Sequence, residues 1–139
     1  MFATTTSPIE QYRRVDTLTA VSQADPHGLV VLLFDGAIAA IMQGRHAMSV
    51  SDVSTKLTSI SKAIRIVDEG LKACLQAHGD NSLAANLHAL YDHVVARLLE
   101  ANVRNIDAPL DEATQLLAEL RDAWMAIAPA GAAPTRLQA

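Results

Sequence analysis

The sequence predicts an all-α protein, an antiparallel four-helix bundle with a short mobile N-terminal helical segment. Three observations predict it. Half of the 139 residues are hydrophobic while only 4% are aromatic, and Ala and Leu carry most of the apolar content, a balance that suits helices better than strands. Apolar residues recur at steps of three and four in four separate stretches, and no stretch alternates at a period of two for long enough to matter. The breaks between the stretches are short, and helices on short links pack as antiparallel neighbours. The length allows one domain with one sizeable core.

Residues 1–24 mix Thr, Ser, Gln and charge with scattered apolar anchors at Ile9, Tyr12, Val15 and Leu18, and read as a mobile extension with one helical turn over residues 9–15. The bundle is expected over residues 25–128. Asp25 suits an N-cap and Pro26 the first helical position, so a first helix runs to about His46. It carries two apolar stripes: Leu29, Leu33, Ala37 and Ala40, and beside them Val30, Phe34, Ile38 and Ile41. A Ser/Asp cluster at residues 49–52 precedes the second helix. There Val53, Leu57, Ile60, Ile64, Val67, Leu71 and Cys74 form a strict seam, with Ala63, Ile66 and Leu75 off it. His78-Gly79-Asp80-Asn81 stops that helix, Gly79 serving as C-cap. The third begins at Ser82, lines up Leu83, Leu87, Leu90 and Val94, is widened by Tyr91, Val95, Leu98 and Leu99, and ends near Val103. Asp107 and Pro109 start the fourth, with Leu110, Ala113, Leu117, Leu120, Trp124 and Ile127 in line; Ala128-Pro129 ends it. The Ala/Pro-rich residues 129–139 have too little to bury and are expected to be disordered.

Composition excludes several functions. A net charge of −4, dispersed along the chain, points to neither nucleic acid nor an anionic membrane. One cysteine, Cys74, rules out an intrachain disulfide and fits a reducing compartment; on the helical seam it reads as a buried structural thiol. No signal peptide is visible in MFATTTSPIEQ, so a cytoplasmic protein is the expectation. The apolar run in the first helix is shorter than the roughly 20 residues of a membrane span, and Asp35 interrupts it, so no membrane insertion is expected.

The residues offer little chemistry. Di-metal bundles need Glu-x-x-His motifs, and this chain has none; His88 and Asp92, four apart, face away from the apolar line and read as solvated. A histidine phosphotransfer bundle working through His88 or His93 is a distant alternative, since neither has a nearby Lys followed by small residues. No Gly-rich loop follows a strand. Asp35, among apolar turns, would be costly without a hydrogen bond, and reads as fixing a neighbouring backbone or the N-terminal segment, or as facing water. No catalytic residue, metal ligand or cofactor is expected. What remains is surplus hydrophobicity. It fits a fully buried helix, or a groove that receives an amphipathic helix from a partner, and periodicity leaves both open. A plain structural bundle that self-associates through its surplus face is a further alternative.

The run Asp25-Pro26-His27-Gly28-Leu29-Val30-Val31-Leu32-Leu33-Phe34-Asp35-Gly36-Ala37 is similar to a Pro-started helix that leads into Leu-(Tyr/Phe)-Asp-Gly-Ala in the FliS family of flagellin-specific export chaperones. Tyr12 and Thr19-Ala20 upstream, and Leu90-Tyr91, Arg97-Leu98-Leu99-Glu100-Ala101-Asn102 and the residues from Leu116 to Trp124 downstream, also resemble family signatures, in order and at the right spacing. Gly28, where Lys or Glu is common, and Leu32, where Met is common, depart from the pattern. The resemblance implies a non-enzymatic chaperone that binds the disordered C-terminal segment of flagellin, prevents premature polymerisation and delivers it to the flagellar type III export gate. It implies contacts with that gate's cytoplasmic domain, another flagellar regulator as a candidate second client, and a free state that is a monomer or weak dimer. The N-terminal segment becomes a lid. The partner-binding residues expected are Ile9, Tyr12, Val15 and Leu18 from that segment, and Val30, Leu33, Phe34, Asp35, Ile38, Ile66, Tyr91 and Trp124 from the bundle.

Overall fold

The structure, a computed structural model, describes residues 26–76 and 82–127. They form helices α1 (Pro26–Ser49), α2 (Val53–Arg65), a π-helical stretch Ile66–Leu71, α3 (Lys72–Gln76), α4 (Ser82–Arg104) and α5 (Ala108–Met125). α2, the π stretch and α3 are one continuous rod, so four rods are present, with no strand among the described residues. Residues 31–126 form one compact unit, the bundle; residues 26–30 and Ile127 belong to another. In that second unit Val30 is buried and Ile127 exposed. The expected extension over residues 1–24, the C-cap at Gly79 and the tail lie outside the described residues.

Cross-helix neighbours fix the topology of the bundle. Leu33 lies against Gly70, Gly36 against Ile66, and Gly44 against Ser59 and Ile60, so α1 and the α2–α3 rod run antiparallel. Lys56 reaches Asn102 and Asn105, and Lys72 reaches Asp92, so the rod runs antiparallel to α4. His93 and Arg97 meet Glu112, which sets α4 against α5. Asp35 pairs with Arg121 and Arg45 with Asp111, which closes the square between α1 and α5. Phe34 and Tyr91 meet across the middle, ring centroids 6.4 Å apart and tilted by 56°. Phe34, Ile41, Ile60, Val67, Leu71, Val94, Leu98, Leu110 and Leu117 are almost wholly buried, the apolar stripes of all four rods turned inward.

The turns at one end follow from local chemistry. Ser51 and Asn105 adopt left-handed backbone, φ 61° and 58°, and close α1 and α4 in the manner usually left to glycine. Asp52 N–H donates to Ala47 O at 2.8 Å, and Asn105 N–H to Ala101 O at 2.8 Å. Asp52 caps α2, its carboxylate accepting from Thr55 N–H at 3.2 Å; the Thr55 side chain first, and then its backbone N–H, hold the carboxyl below its usual pKa. Asp107 sits at the N-cap of α5 with Pro109 in the first turn, as the sequence indicates.

Several expectations need correction. α1 continues to Ser49, past the predicted end near His46, while α4 ends at Arg104, next to the predicted Val103. By length and composition α1 would be able to cross a bilayer, so the length test does not exclude a span. Its packing identifies it instead as a bundle helix, with Phe34, Ala37 and Ile41 buried and Asp35 and Arg45 tied to α5. The seam of the second rod is displaced. Lys56, Ser59, Ile60, Ala63, Val67 and Leu71 are buried, while Val53 and Leu57 are 61% and 45% exposed and Cys74 is only partly buried. The buried face is rotated by roughly 60° from the apolar seam, toward Lys56 and Ala63. Gly44, with no side chain of its own, lies close against Ser59 and Ile60 on that buried face. The π stretch, which carries one extra residue per turn, keeps Val67 and Leu71 both inward and seats Gly70 against Leu33. On α4 the buried line is Tyr91, Val94, Leu98 and Ala101; Leu83 and Leu90 are exposed.

Candidate functional site

The displaced seam leaves apolar side chains outside. Val53 and Leu57 of α2 project outward, as do Leu99 and Val103 of α4, the last 83% exposed. The Lys56–Asn102 contact fixes the register of these antiparallel rods. A residue one step beyond a facing position turns about 100°, and in an antiparallel pair both such turns point to the same outer side. Leu57 and Val103 therefore share the outer edge of the α2–α4 pair, with Val53 and Leu99 a turn away on each helix. Further surplus lies on the first half of α4 at Leu83 and Leu90, and on α1 at Met42.

Charge around this edge is ordered. Leu57, Thr58, Ser61, Lys62 and Arg65 line one shallow depression on α2. Lys62 and Arg65 make no ion pair among the described residues. Beyond Arg65 the edge becomes acidic: Lys72 Nζ lies 2.9 Å from Asp68 and 2.6 Å from Asp92, and His88 Nδ1 lies 3.2 Å from Asp92. The two carboxylates, Asp92 first, raise the Lys72 pKa, and Lys72 in turn lowers that of Asp92. His88 and Asp92 are exposed, and no group of three or more His, Cys, Asp or Glu placed to hold a metal occurs among the described residues.

The other edges carry structural polarity. Lys56, 93% buried by its 7% exposure, donates to Asn102 O at 3.2 Å and Asn105 Oδ1 at 3.0 Å. It satisfies carbonyls at the C-terminal end of α4, where a cation is also favoured by the helix dipole. Glu112 accepts from Arg97 Nε at 2.7 Å and lies 2.9 Å from His93 Nε2; His93, then Arg97, hold its carboxyl below the usual pKa. Burial raises the Cys74 thiol and raises Tyr91 to about 12, so neither is primed as a nucleophile.

The expected partner-binding residues separate into groups. Val30, Phe34 and Tyr91 are buried and serve as core. Leu33, Ile38, Ile66 and Trp124 are partly buried; Leu33 lies against Gly70 and Ile66 against Gly36. Asp35 is exposed, as one of the readings for it has it, and pairs with the Arg121 side chain of α5. Ile9, Tyr12, Val15 and Leu18 lie outside the described residues. Sequence reading missed the exposure of Leu57 and Val103, because Leu57 fits the seam and Val103 marks a helix end. It missed Lys56 because a lysine reads as surface; its position four residues before Ile60, on the buried line, was the available signal.

The described residues form an all-α helical bundle with apolar side chains left on its surface. The sequence matches the model for flagellar protein FliS over residues 8–131. It is 42% identical over 125 residues to the flagellar secretion chaperone FliS of Salmonella typhimurium (strain LT2), covering 90% of this chain and 93% of that protein. It is 39% identical over 116 residues to the flagellar secretion chaperone FliSB of Pseudomonas aeruginosa, covering 84% and 91%. It is 30% identical over 105 residues to the flagellar secretion chaperone FliS of Bacillus subtilis (strain 168), covering 76% and 77%. The chain belongs to the FliS family.

Proposed function

We propose that this protein is a cytosolic flagellar export chaperone that holds the disordered C-terminal segment of flagellin against the outside of a preformed bundle. The observation that carries the reading is the exposed apolar edge formed by Val53 and Leu57 on α2 and Leu99 and Val103 on α4. Four large aliphatic groups exposed together on a protein with a complete core mark a surface kept for a partner. An amphipathic segment laid there buries its own apolar face, and with it the surface by which it would polymerise. The ordering cost of the client is offset by burial over a long wrapped surface, so no nucleotide is needed. Ile9, Tyr12, Val15 and Leu18 then act as a lid over apolar bundle surface, yielding to the client, and the same segment presents the loaded chaperone to the cytoplasmic domain of the export gate. The phosphotransfer alternative has little support, since His88 and His93 are each engaged by a carboxylate.

Calorimetric titration with the C-terminal segment of the cognate flagellin tests this. One-to-one binding is expected with the intact segment and none with flagellin lacking it. A variant lacking residues 1–18 is expected to bind with altered affinity. Equal heats with and without the tail would overturn the reading.

A further inference from the structure

We infer that the depression on α2 beside Leu57, walled by Lys62 and Arg65, is a docking site for a carboxylate-bearing amphipathic segment, its acidic side chains seated on the two cations and its apolar face on the Leu57–Val103 edge. The inference rests on the chaperone reading and deepens it by naming the chemistry of the client segment.

Charge complementarity argues for it. Most cations of the bundle are committed: Arg45 to Asp111, Lys72 to Asp68 and Asp92, Arg97 to Glu112 and Glu100, Arg104 to Glu100, and Arg121 to Asp35. Lys62 and Arg65 stand apart. They share one depression with Leu57, sit three apart on the last turn of α2, and have no carboxylate partner among the described residues even though the chain is acidic overall. Two cations three apart on a helix repel each other, and an incoming carboxylate relieves that repulsion. The acidic group at Asp68 and Asp92 follows one turn further along. A segment bound along this edge therefore has its carboxylates confined to the Lys62–Arg65 position and neutral or basic residues beyond it. That fixes its direction as well as its position, the usual use of charge at an interface.

The test uses the cognate C-terminal flagellin segment, the full-length protein and its Lys62→Glu/Arg65→Glu variant, titrated at low and high salt. Both side chains are exposed and unpaired among the described residues, so the variant is expected to keep its helical circular dichroism and unfolding midpoint. Binding is expected to weaken by about tenfold or more at low salt, with the difference shrinking as salt screens it. A flagellin segment with its Asp and Glu changed to Lys is expected to bind the variant better than it binds the natural chaperone. If the natural protein binds the segment and the variant binds it equally at every salt concentration, the docking site is refuted while the chaperone reading stands. If the natural protein does not bind the segment at all, both fail together.

Discussion

Where α1 meets the α2–α3 rod, the contact is made of glycines and branched aliphatic side chains: Gly44 beneath Ile60, Gly36 beside Ile66, Gly70 beneath Leu33. Where α4 meets α5 it is made of charge, with His93 and Arg97 converging on Glu112. The first edge brings backbones close and is tightest at Gly44, where an added Cβ has no room. The second sets the register of two helices whose side chains are partly exposed, and its strength depends on salt and pH. At the same edge as the glycine contacts, α2 turns Ser59, Ile60 and Ala63 inward and leaves Leu57 outside.

The comparison can be broken at its tightest point. A Cβ on Gly44 would lie 2.9 Å from Ile60 Cγ1, whereas one on Gly36 would lie 3.5 Å from Ile66 Cδ1. Gly44→Ala is expected to destabilise by about 1–3 kcal/mol through overpacking. Gly36→Ala gains helix propensity of up to ~1 kcal/mol with no clash. Urea midpoints of the two variants should move in opposite directions; a shared direction would refute the close-approach account.

Lys56 offers the next effect. Lys56→Met keeps the stem but leaves the Asn102 carbonyl and Asn105 without their donor, and is expected to cost about 1–2 kcal/mol. Chemical denaturation measures it, and a stabilised variant would show that the buried amine adds nothing.

The charged edge predicts a pH signature, smaller in size. The folded-state pKa of Glu112 is lowered by His93 and Arg97, so the folded protein binds fewer protons than the unfolded chain in mild acid. The resulting stability is present above the ordinary carboxylate pKa, about 4.3, and is lost as pH falls through the lower folded value. Glu112→Gln should flatten the acid arm of a thermal-stability profile. The alkaline arm has the opposite origin: Tyr91, raised to about 12 by burial, contributes stability that is complete below pH ~10 and is lost as pH rises toward 12. Tyr91→Phe should flatten that arm alone.

Much of the fold was legible from the chain. The start of the fourth helix at Asp107 and Pro109, Ser82 as a helix start, and the inward faces of Ile60, Val94 and Leu117 follow from local chemistry and the helical period. The π stretch was not legible, because IVDEGL continues the apolar spacing and nothing local requires an extra residue. The rotation of α2 was hidden for a related reason: which face turns inward is set by packing against the other helices, not by the spacing of apolar residues on α2 itself. The candidate surface suffered accordingly. Seam spacing put Leu57 on the apolar line of the second rod, where the structure leaves it exposed; Phe34 and Tyr91, named for partner binding with the resemblance, are buried.

One measurement bears most directly on the claim that the core and the client surface are separate sets of apolar residues. The Leu57→Gln/Val103→Gln variant would be compared with the natural protein both in thermal unfolding and in titration with the cognate C-terminal flagellin segment. The account predicts an unfolding midpoint changed by no more than surface substitutions cause, about 0.5 kcal/mol each, together with binding weakened by about tenfold or more. Undiminished binding, or a large loss of stability, would contradict it.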